Sequence, residues 1–77
     1  MDLQDFTKKI SIQFLEEDQP KVDSEIEFRK LPTWDSLTGM AILATIQDEY
    51  GINVPVDDFI KLKTVNELYN YVTKQKK

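Results

Sequence analysis

The strongest constraint on this fold is one helical segment, which begins after Asp35 and ends before Gly51. Aspartate is a favoured N-cap residue because its carboxylate accepts the free amide hydrogens of the first helical turn. Glycine commonly follows the last helical residue because it adopts a left-handed conformation without steric cost. These two residues predict a helix over positions 36–50, with Ser36 in its first turn.

The apolar residues of this segment form two stripes at helical spacing. One stripe contains Ile42, Leu43, Ile46 and Tyr50, and the other contains Leu37, Met40, Ala41 and Ala44. One stripe is enough to bury a helix in a bundle. We therefore interpret the second stripe, which begins beside Ser36, as an exposed docking surface for partner proteins. The alternative is a central helix that is buried on most of its sides.

Three further segments are predicted to be helical. Residues 3–17 carry an apolar stripe at spacings of three or four, formed by Leu3, Phe6, Ile10 and Phe14 with Leu15 beside them, while Ile12 lies off the stripe. A short helix is predicted near residues 56–62. The last helix, over residues 65–73, opens with a capping box between Thr64 and Glu67.

The connections complete an all-α prediction, a four-helix bundle of three longer helices and one short one. Residues 18–35 form a long loop, because Pro20 and Pro32 argue against a continuous helix. Its anchors on the bundle are Ile26, Phe28 and Leu31. We interpret Trp34 as a core plug, and the alternative is a surface aromatic. Residues 52–55 are an extended connector with Ile52 and Val54 turned inward, since no second strand is available for pairing. One domain spans residues 1–77, with a basic, frayed tail over 74–77.

Composition excludes several classes of chemistry. The chain has no cysteine and no histidine, which rules out disulfides, thiol nucleophiles, zinc fingers and histidine acid–base catalysis. No EF-hand spacing, signal peptide or membrane-length apolar run is present, so we expect no metal site, no membrane insertion and a cytoplasmic location. Without the three tail lysines, seven basic residues face fourteen acids. Such a surface disfavours nucleic acid and suits basic partners.

Ser36 is the candidate functional residue. A serine at the start of a helix usually serves only to cap the helix. Its hydroxyl, however, lies at the positive end of the helix dipole, where free amide groups favour an anion. This position suits a serine that carries a phosphoester. The acids of the chain are scattered along loops and helix starts, with no paired carboxylates, so we expect no enzyme.

The ordered motifs of the chain resemble those of acyl carrier proteins. These motifs are Asp35-Ser36-Leu37, a helix of about four turns, Gly51, Ile52-Asn53-Val54-Pro55, and Thr64-Val65 at the start of the last helix. The resemblance covers nearly the whole chain and is strongest over residues 34–72. It implies that Ser36 carries 4′-phosphopantetheine, transferred from coenzyme A with magnesium by a phosphopantetheinyl transferase. The arm's thiol would then hold acyl groups as thioesters, which supplies the sulfur that the chain lacks.

The resemblance also assigns the partner surface. The helix after Ser36 is the recognition element of the family, and Asp35 and Leu37 flank the modified serine. The resemblance adds Met40, Asp48 and Glu49 as partner positions on this helix, and the second apolar stripe adds Ala41 and Ala44. The expected partners are acyl-loading and acyl-transferring enzymes with basic and apolar docking surfaces, which meet a monomeric carrier. Small residues, including Gly39, leave room for an acyl chain between the helices, as in related carriers.

Two departures from the family pattern suggest a specialised role. Thr33-Trp34 replaces the usual small pair before Asp35, and Thr38, Ala41 and Gln47 stand where acids are frequent. Fewer acids weaken steering toward strongly basic enzymes. We therefore hypothesise a dedicated bacterial carrier in a pathway such as surface-polysaccharide modification or secondary metabolism. The alternatives are a peptidyl or D-alanyl carrier, which uses the same arm, and an unmodified helical interaction module.

Overall fold

The computed structural model describes residues 2–75, and within this range the chain forms four α-helices. They are α1 (Leu3–Ser11), α2 (Ser36–Tyr50), α3 (Val56–Phe59) and α4 (Val65–Gln75). No β-strand occurs in this range, and the sole sheet-like pairing there is an isolated antiparallel bridge between Glu27 and Thr64. The predicted fold class, an all-α bundle with three longer helices and a short third one, is therefore confirmed.

Helix α2 has the predicted limits. Asp35 is its N-cap, and Gly51 ends it in the left-handed conformation, with a φ of 70°. The Gly51 amide donates a hydrogen bond of 2.9 Å to the Gln47 carbonyl, which satisfies one of the last free carbonyls of the helix. Ile42 and Ile46 are fully buried on its inner face. The second stripe is exposed, so the alternative of a helix buried on most sides is wrong.

Helix α1 is shorter than the predicted 3–17. It ends at Ser11 because the following amides of Gln13 and Phe14 bond to carbonyls three residues back, at 3.1 and 3.0 Å. Side chains reinforce this end, since the Ser11 hydroxyl donates to the Lys8 carbonyl at 2.7 Å. Phe14 still reaches the core, but Leu15 does not follow the stripe and is 62% exposed. Ile12 is exposed, as its place off the stripe predicts.

The C-terminal half differs from prediction only in its helix limits. Helix α3 ends at Phe59, before the predicted limit of 62, and a tighter turn follows in which the Leu62 amide bonds to the Phe59 carbonyl. Helix α4 runs two residues past its predicted end, to Gln75, which places Lys74 in its last turn. The remaining tail positions, 76 and 77, lie outside the described residues. Between α2 and α3, Ile52 and Val54 are buried, as predicted for the extended connector.

The long loop between α1 and α2 closes the bundle. It contains two short 3₁₀ turns, Gln19–Lys21 and Phe28–Lys30. Phe28 and Leu31 are buried and Ile26 packs against the core, so the three predicted anchors are confirmed. The Asn66 amide donates to the Ser24 carbonyl at 2.8 Å, which joins the loop to the start of α4. Within residues 2–75, no helix has both the length and the apolar character needed to cross a membrane.

Candidate functional site

The candidate site is built on the N-cap of α2. The Asp35 backbone is extended, with φ −154° and ψ 179°, and its carboxylate accepts the Thr38 amide hydrogen at 2.8 Å. The Thr38 hydroxyl donates to the same oxygen at 3.0 Å. These hydrogen bonds from the Thr38 amide and hydroxyl lower the pKa of Asp35. The carboxylate is therefore charged at neutral pH and is held against the helix start.

Ser36 is the first residue of α2 and is exposed. Its hydroxyl has no hydrogen-bond partner within residues 2–75, so it contributes nothing to capping, which Asp35 performs instead. The dipole of the 15-residue helix favours a negative charge at this end. An exposed hydroxyl that is not needed by the fold, at a helix start, fits the attachment of a phosphoester.

The loop that leads to Ser36 is fixed by a buried carboxylate. Asp18 is fully buried and accepts hydrogen bonds from the Thr33 amide at 2.8 Å and the Thr33 hydroxyl at 2.5 Å. Its other oxygen pairs with Lys21 Nζ at 3.1 Å. The Thr33 hydroxyl has the largest effect among the contacts that lower the pKa of Asp18 against its burial. Asp18 thus ties the first part of the loop to Thr33, three positions before Ser36.

Arg29, in the second 3₁₀ turn of the loop, also fixes the position of the loop, by binding α3 and the turn after it. Its guanidinium donates to the Leu62 carbonyl at 2.6 Å and to the Phe59 carbonyl at 2.5 Å. These two bonds join Arg29 to the last residue of α3 and to the turn that follows it. Burial lowers the pKa of Arg29. The hydrogen bonds and the facing rings of Phe28 and Phe59 offset the cost of holding the cation there.

Two open grooves flank the helix start. On the α3 side the lining is mostly apolar and consists of Arg29, Trp34, Ser36, Gly39, Met40, Leu43, Val56, Phe59 and Ile60. On the other side the lining consists of Gln13, Leu15, Thr33, Asp35, Leu37, Thr38 and Ala41. Trp34 packs on the core as the predicted plug while remaining partly exposed. Ser36 therefore lies at the edge of an apolar groove.

The remaining predicted site residues lie along the outer side of α2. Leu37 is 74% exposed and Met40 is 65% exposed, while Ala44 is exposed and Ala41 is half-buried. Further along the helix Asp48 and Glu49 are exposed acids, and Glu49 lies 3.5 Å from Lys9 of α1. The structure thus brings the apolar members together on one solvent-facing stripe that ends in acids.

Sequence reasoning missed the two fixed points, Asp18 and Arg29. In the sequence Asp18 is one of several acids in the long loop, and nothing indicates a role for Arg29. A buried carboxylate and an exposed one look alike in a single sequence. The only available signal was the length of the loop, which must be fixed somewhere if it is to position Ser36. Within residues 2–75, no group of three or more acidic side chains could hold a metal ion.

Comparisons with known proteins agree with this geometry. The family model described as a phosphopantetheine attachment site matches residues 5–72, a span that includes Ser36. Among curated proteins, the acyl carrier proteins of Rickettsia canadensis, Rickettsia massiliae and Rickettsia felis are each 31% identical to this chain over 58 residues. The matched segment covers 75% of this chain and 67% of each relative.

Proposed function

The chain belongs to the phosphopantetheine-attachment family of acyl carrier proteins, and from this premise we propose that Ser36 is the residue that bears 4′-phosphopantetheine. The observation that carries the proposal is the exposed Ser36 hydroxyl at the first position of α2. Asp35 caps the helix, so the hydroxyl is left for covalent attachment. The single domain, residues 1–77, would then act as a carrier and catalyse no reaction itself.

The residues around Ser36 support this role through position and charge. When bound, the prosthetic group supplies a phosphodiester and a terminal thiol that holds acyl cargo. The positive end of the α2 dipole stabilises the phosphodiester charge at Ser36. Asp35 keeps the first turn formed, and Asp18 holds Thr33, so the serine is presented in one conformation. Tethering of the cargo raises its effective concentration at each partner enzyme.

We assign partner docking to the outer stripe of α2, which starts with Leu37 and Met40. Exposed apolar side chains of this size gain most when a partner removes them from water. The small side chains of Ala41 and Ala44 leave this part of the α2 surface low. Asp48 and Glu49 add negative charge toward the C-terminal end of the helix. Acyl-loading and acyl-transferring enzymes with an apolar pocket beside basic residues fit this stripe. A monomeric carrier in the cytoplasm is the simplest form that leaves the stripe free.

Intact mass spectrometry tests the attachment site. The protein is incubated with coenzyme A, magnesium and a broad-specificity phosphopantetheinyl transferase, and its mass is measured before and after. We expect a single phosphopantetheine addition to the wild type and none to Ser36→Ala. Ser24→Ala is the matched control, since it removes a serine hydroxyl outside α2, and it should still be modified. Addition to Ser36→Ala, or none to folded wild type, would contradict the assignment.

We further propose a dedicated rather than a housekeeping pathway. The outer side of α2 has Thr38, Ala41 and Gln47 where related carriers often have acids, which weakens attraction to strongly basic enzymes. The test is a binding comparison, with a housekeeping acyl carrier protein as the reference and general fatty-acid synthesis enzymes as partners. Weaker binding of this chain is expected. Equal affinity for those enzymes would overturn the dedicated role.

A further inference from the structure

The space inside the bundle next to Ser36 is filled by Trp34. Gly39 faces this space without a side chain, a feature that predicts room for an acyl chain. A Cβ atom at Gly39 would lie 2.9 Å from Trp34 Cη2 and 3.3 Å from Cζ2. The Phe59 ring is the next neighbour, at 3.6 Å. The interpretation of Gly39 as vacant room is therefore wrong, because the indole already occupies the space.

Behind the indole, the interior continues as packed aromatic rings. Trp34 lies 6.2 Å from Phe14 and 5.7 Å from Phe28, measured between ring centroids. Phe28 in turn stacks on Phe59 at 5.9 Å, and all three phenylalanines are buried. Protein interiors are close-packed, so an alkyl chain enters such a cluster only by displacing rings.

Arg29 holds the loop against α3 and the turn that follows it. Its two hydrogen bonds to the carbonyls of Phe59 and Leu62 join the loop that carries Trp34 to the end of α3. The guanidinium also lies 5.7 Å from the Trp34 ring centroid. Movement of α3 away from the loop that carries Arg29 and Trp34 would break both charge-assisted hydrogen bonds, which are among the stronger ones in proteins.

What remains for the cargo is the open groove on the surface. Its outer wall is formed by Met40, Val56 and Ile60, which are 65%, 63% and 61% exposed. A long alkyl chain on such an open surface leaves most of its methylenes in water. For each methylene that stays in water, the equilibrium constant for binding of the chain to the protein is lower by a factor of about four. An open groove therefore suits short or polar acyl groups.

We propose, on the basis of attachment at Ser36, that this carrier holds its cargo outside the bundle, where short or polar acyl groups are accommodated better than long alkyl chains. Trp34 is the residue that sets this limit, because it closes the interior at the point nearest to the arm. This class of cargo includes aminoacyl groups, which are short and charged.

Carriers loaded with different chain lengths test the proposal. Butyryl, octanoyl and dodecanoyl coenzyme A serve as substrates for the broad-specificity transferase, and intact mass confirms loading of each. The melting temperature and the rate of thioester cleavage by hydroxylamine are then measured, with each free acyl coenzyme A as reference. We expect one melting temperature for all three wild-type forms and cleavage rates that match the free thioesters. A melting temperature that rises with chain length, or protection of the dodecanoyl thioester, would overturn the proposal.

Trp34→Ala tests the residue itself. Opening the interior should raise the melting temperature with chain length and slow cleavage of the dodecanoyl form, by up to about fourfold for each methylene that becomes buried. Trp34→Phe, a milder truncation, gives the same trend if the alanine variant does not fold. Tyr69→Ala is the control, because it opens space beside Phe6, where the ring centroids lie 5.4 Å apart. It should show no dependence on chain length.

The possible failures are distinguishable. Folded protein that keeps its unmodified mass with every acyl coenzyme A would overturn attachment at Ser36, and this inference with it. Normal loading, with a Trp34→Ala variant as insensitive to chain length as the wild type, would leave the attachment intact and overturn the role of Trp34.

Discussion

Helix α2 carries two apolar faces, and the fold uses them in opposite ways. On the inner face Ile42 and Ile46 have no exposed surface, whereas on the outer face Leu37 is 74% exposed and Met40 is 65% exposed. Both sets follow the spacing of a helical stripe in the sequence. The inner side chains belong to the buried core, while the outer ones meet solvent.

This difference separates stability from recognition on a single element. Burial of apolar surface is the main favourable contribution to folding, so the inner face accounts for the position of α2 in the bundle. The outer face gains nothing comparable within this chain. We attribute its apolar character to the docking of a partner, the role proposed for the stripe that starts beside Ser36.

The largest expected contrast is in stability. Ile46→Ala creates a cavity in the core and should lower the free energy of unfolding by about 2–5 kcal/mol. Met40→Ala, on the outer face, should change it by no more than about 0.5 kcal/mol. Urea unfolding followed by circular dichroism measures both. If the alanine variant is unfolded in water, Ile46→Val should still show a loss of about 0.5–1.5 kcal/mol. Equal losses of unfolding free energy in Ile46→Ala and Met40→Ala would contradict the separation of a buried inner face from an exposed outer face.

The contrast between buried and exposed positions also applies to Asp18, a buried charged residue, and it predicts a difference in sensitivity to acid. The folded pKa of Asp18 is below its unfolded value, mainly because of the Thr33 hydroxyl. Its contribution to stability is therefore complete above the unfolded pKa, about 3.9, and is lost as the pH falls through the folded pKa. Urea unfolding from pH 7 to pH 2 should show a shallower acid decline for Asp18→Asn than for wild type. The exposed control Asp23→Asn should keep the wild-type decline, and an unchanged profile for Asp18→Asn would refute the assignment.

Much of this architecture could be predicted because it depends on local signals. Asp35 and Gly51 set the limits of α2 through capping chemistry that acts within a few residues. The predicted capping box of α4 forms in its first half, since the Glu67 amide donates to the Thr64 hydroxyl at 3.1 Å. The Glu67 carboxylate accepts the amide of Lys63, one residue before Thr64, at 2.8 Å. The end of α1 was missed because side chains at Ser11 and Gln13 compete for backbone carbonyls, and apolar spacing carries no such information.

The candidate site was predictable where it is local and hidden where it depends on tertiary contacts. The exposed outer stripe follows from two overlapping helical patterns, and Ser36 follows from the cap. The contacts of Asp18 with Thr33 and of Arg29 with Phe59 span 15 and 30 positions of the chain. Which distant groups meet is decided by how the loop packs. For the same reason the sequence could not show that Trp34 fills the space at Gly39.

A smaller effect is expected on enzyme recognition. Leu37→Ala removes the most exposed apolar side chain of the outer stripe and should raise the KM of the phosphopantetheinyl transferase for this carrier by about tenfold, the effect of a moderate interface residue. Neither kcat nor the melting temperature should change. Ile12→Ala is the matched control, since Ile12 is 57% exposed but lies outside the stripe. A similar rise in KM for the control would mean that the stripe has no special role in docking.

The smallest effect belongs to the acids at the end of the stripe. Asp48→Asn should slow association with a basic partner enzyme by about threefold at low salt, because an exposed charge acts mainly on the association rate. Glu49→Gln should do less, since Lys9 lies 3.5 Å from its carboxylate and already screens its charge. Stopped-flow association at two salt concentrations measures both variants, with the exposed Glu16→Gln as control. High salt should remove the differences by screening. A defect that persists there would indicate that Asp48 makes a direct contact, and the outer face would then recognise its partner through a specific polar bond as well as through apolar area.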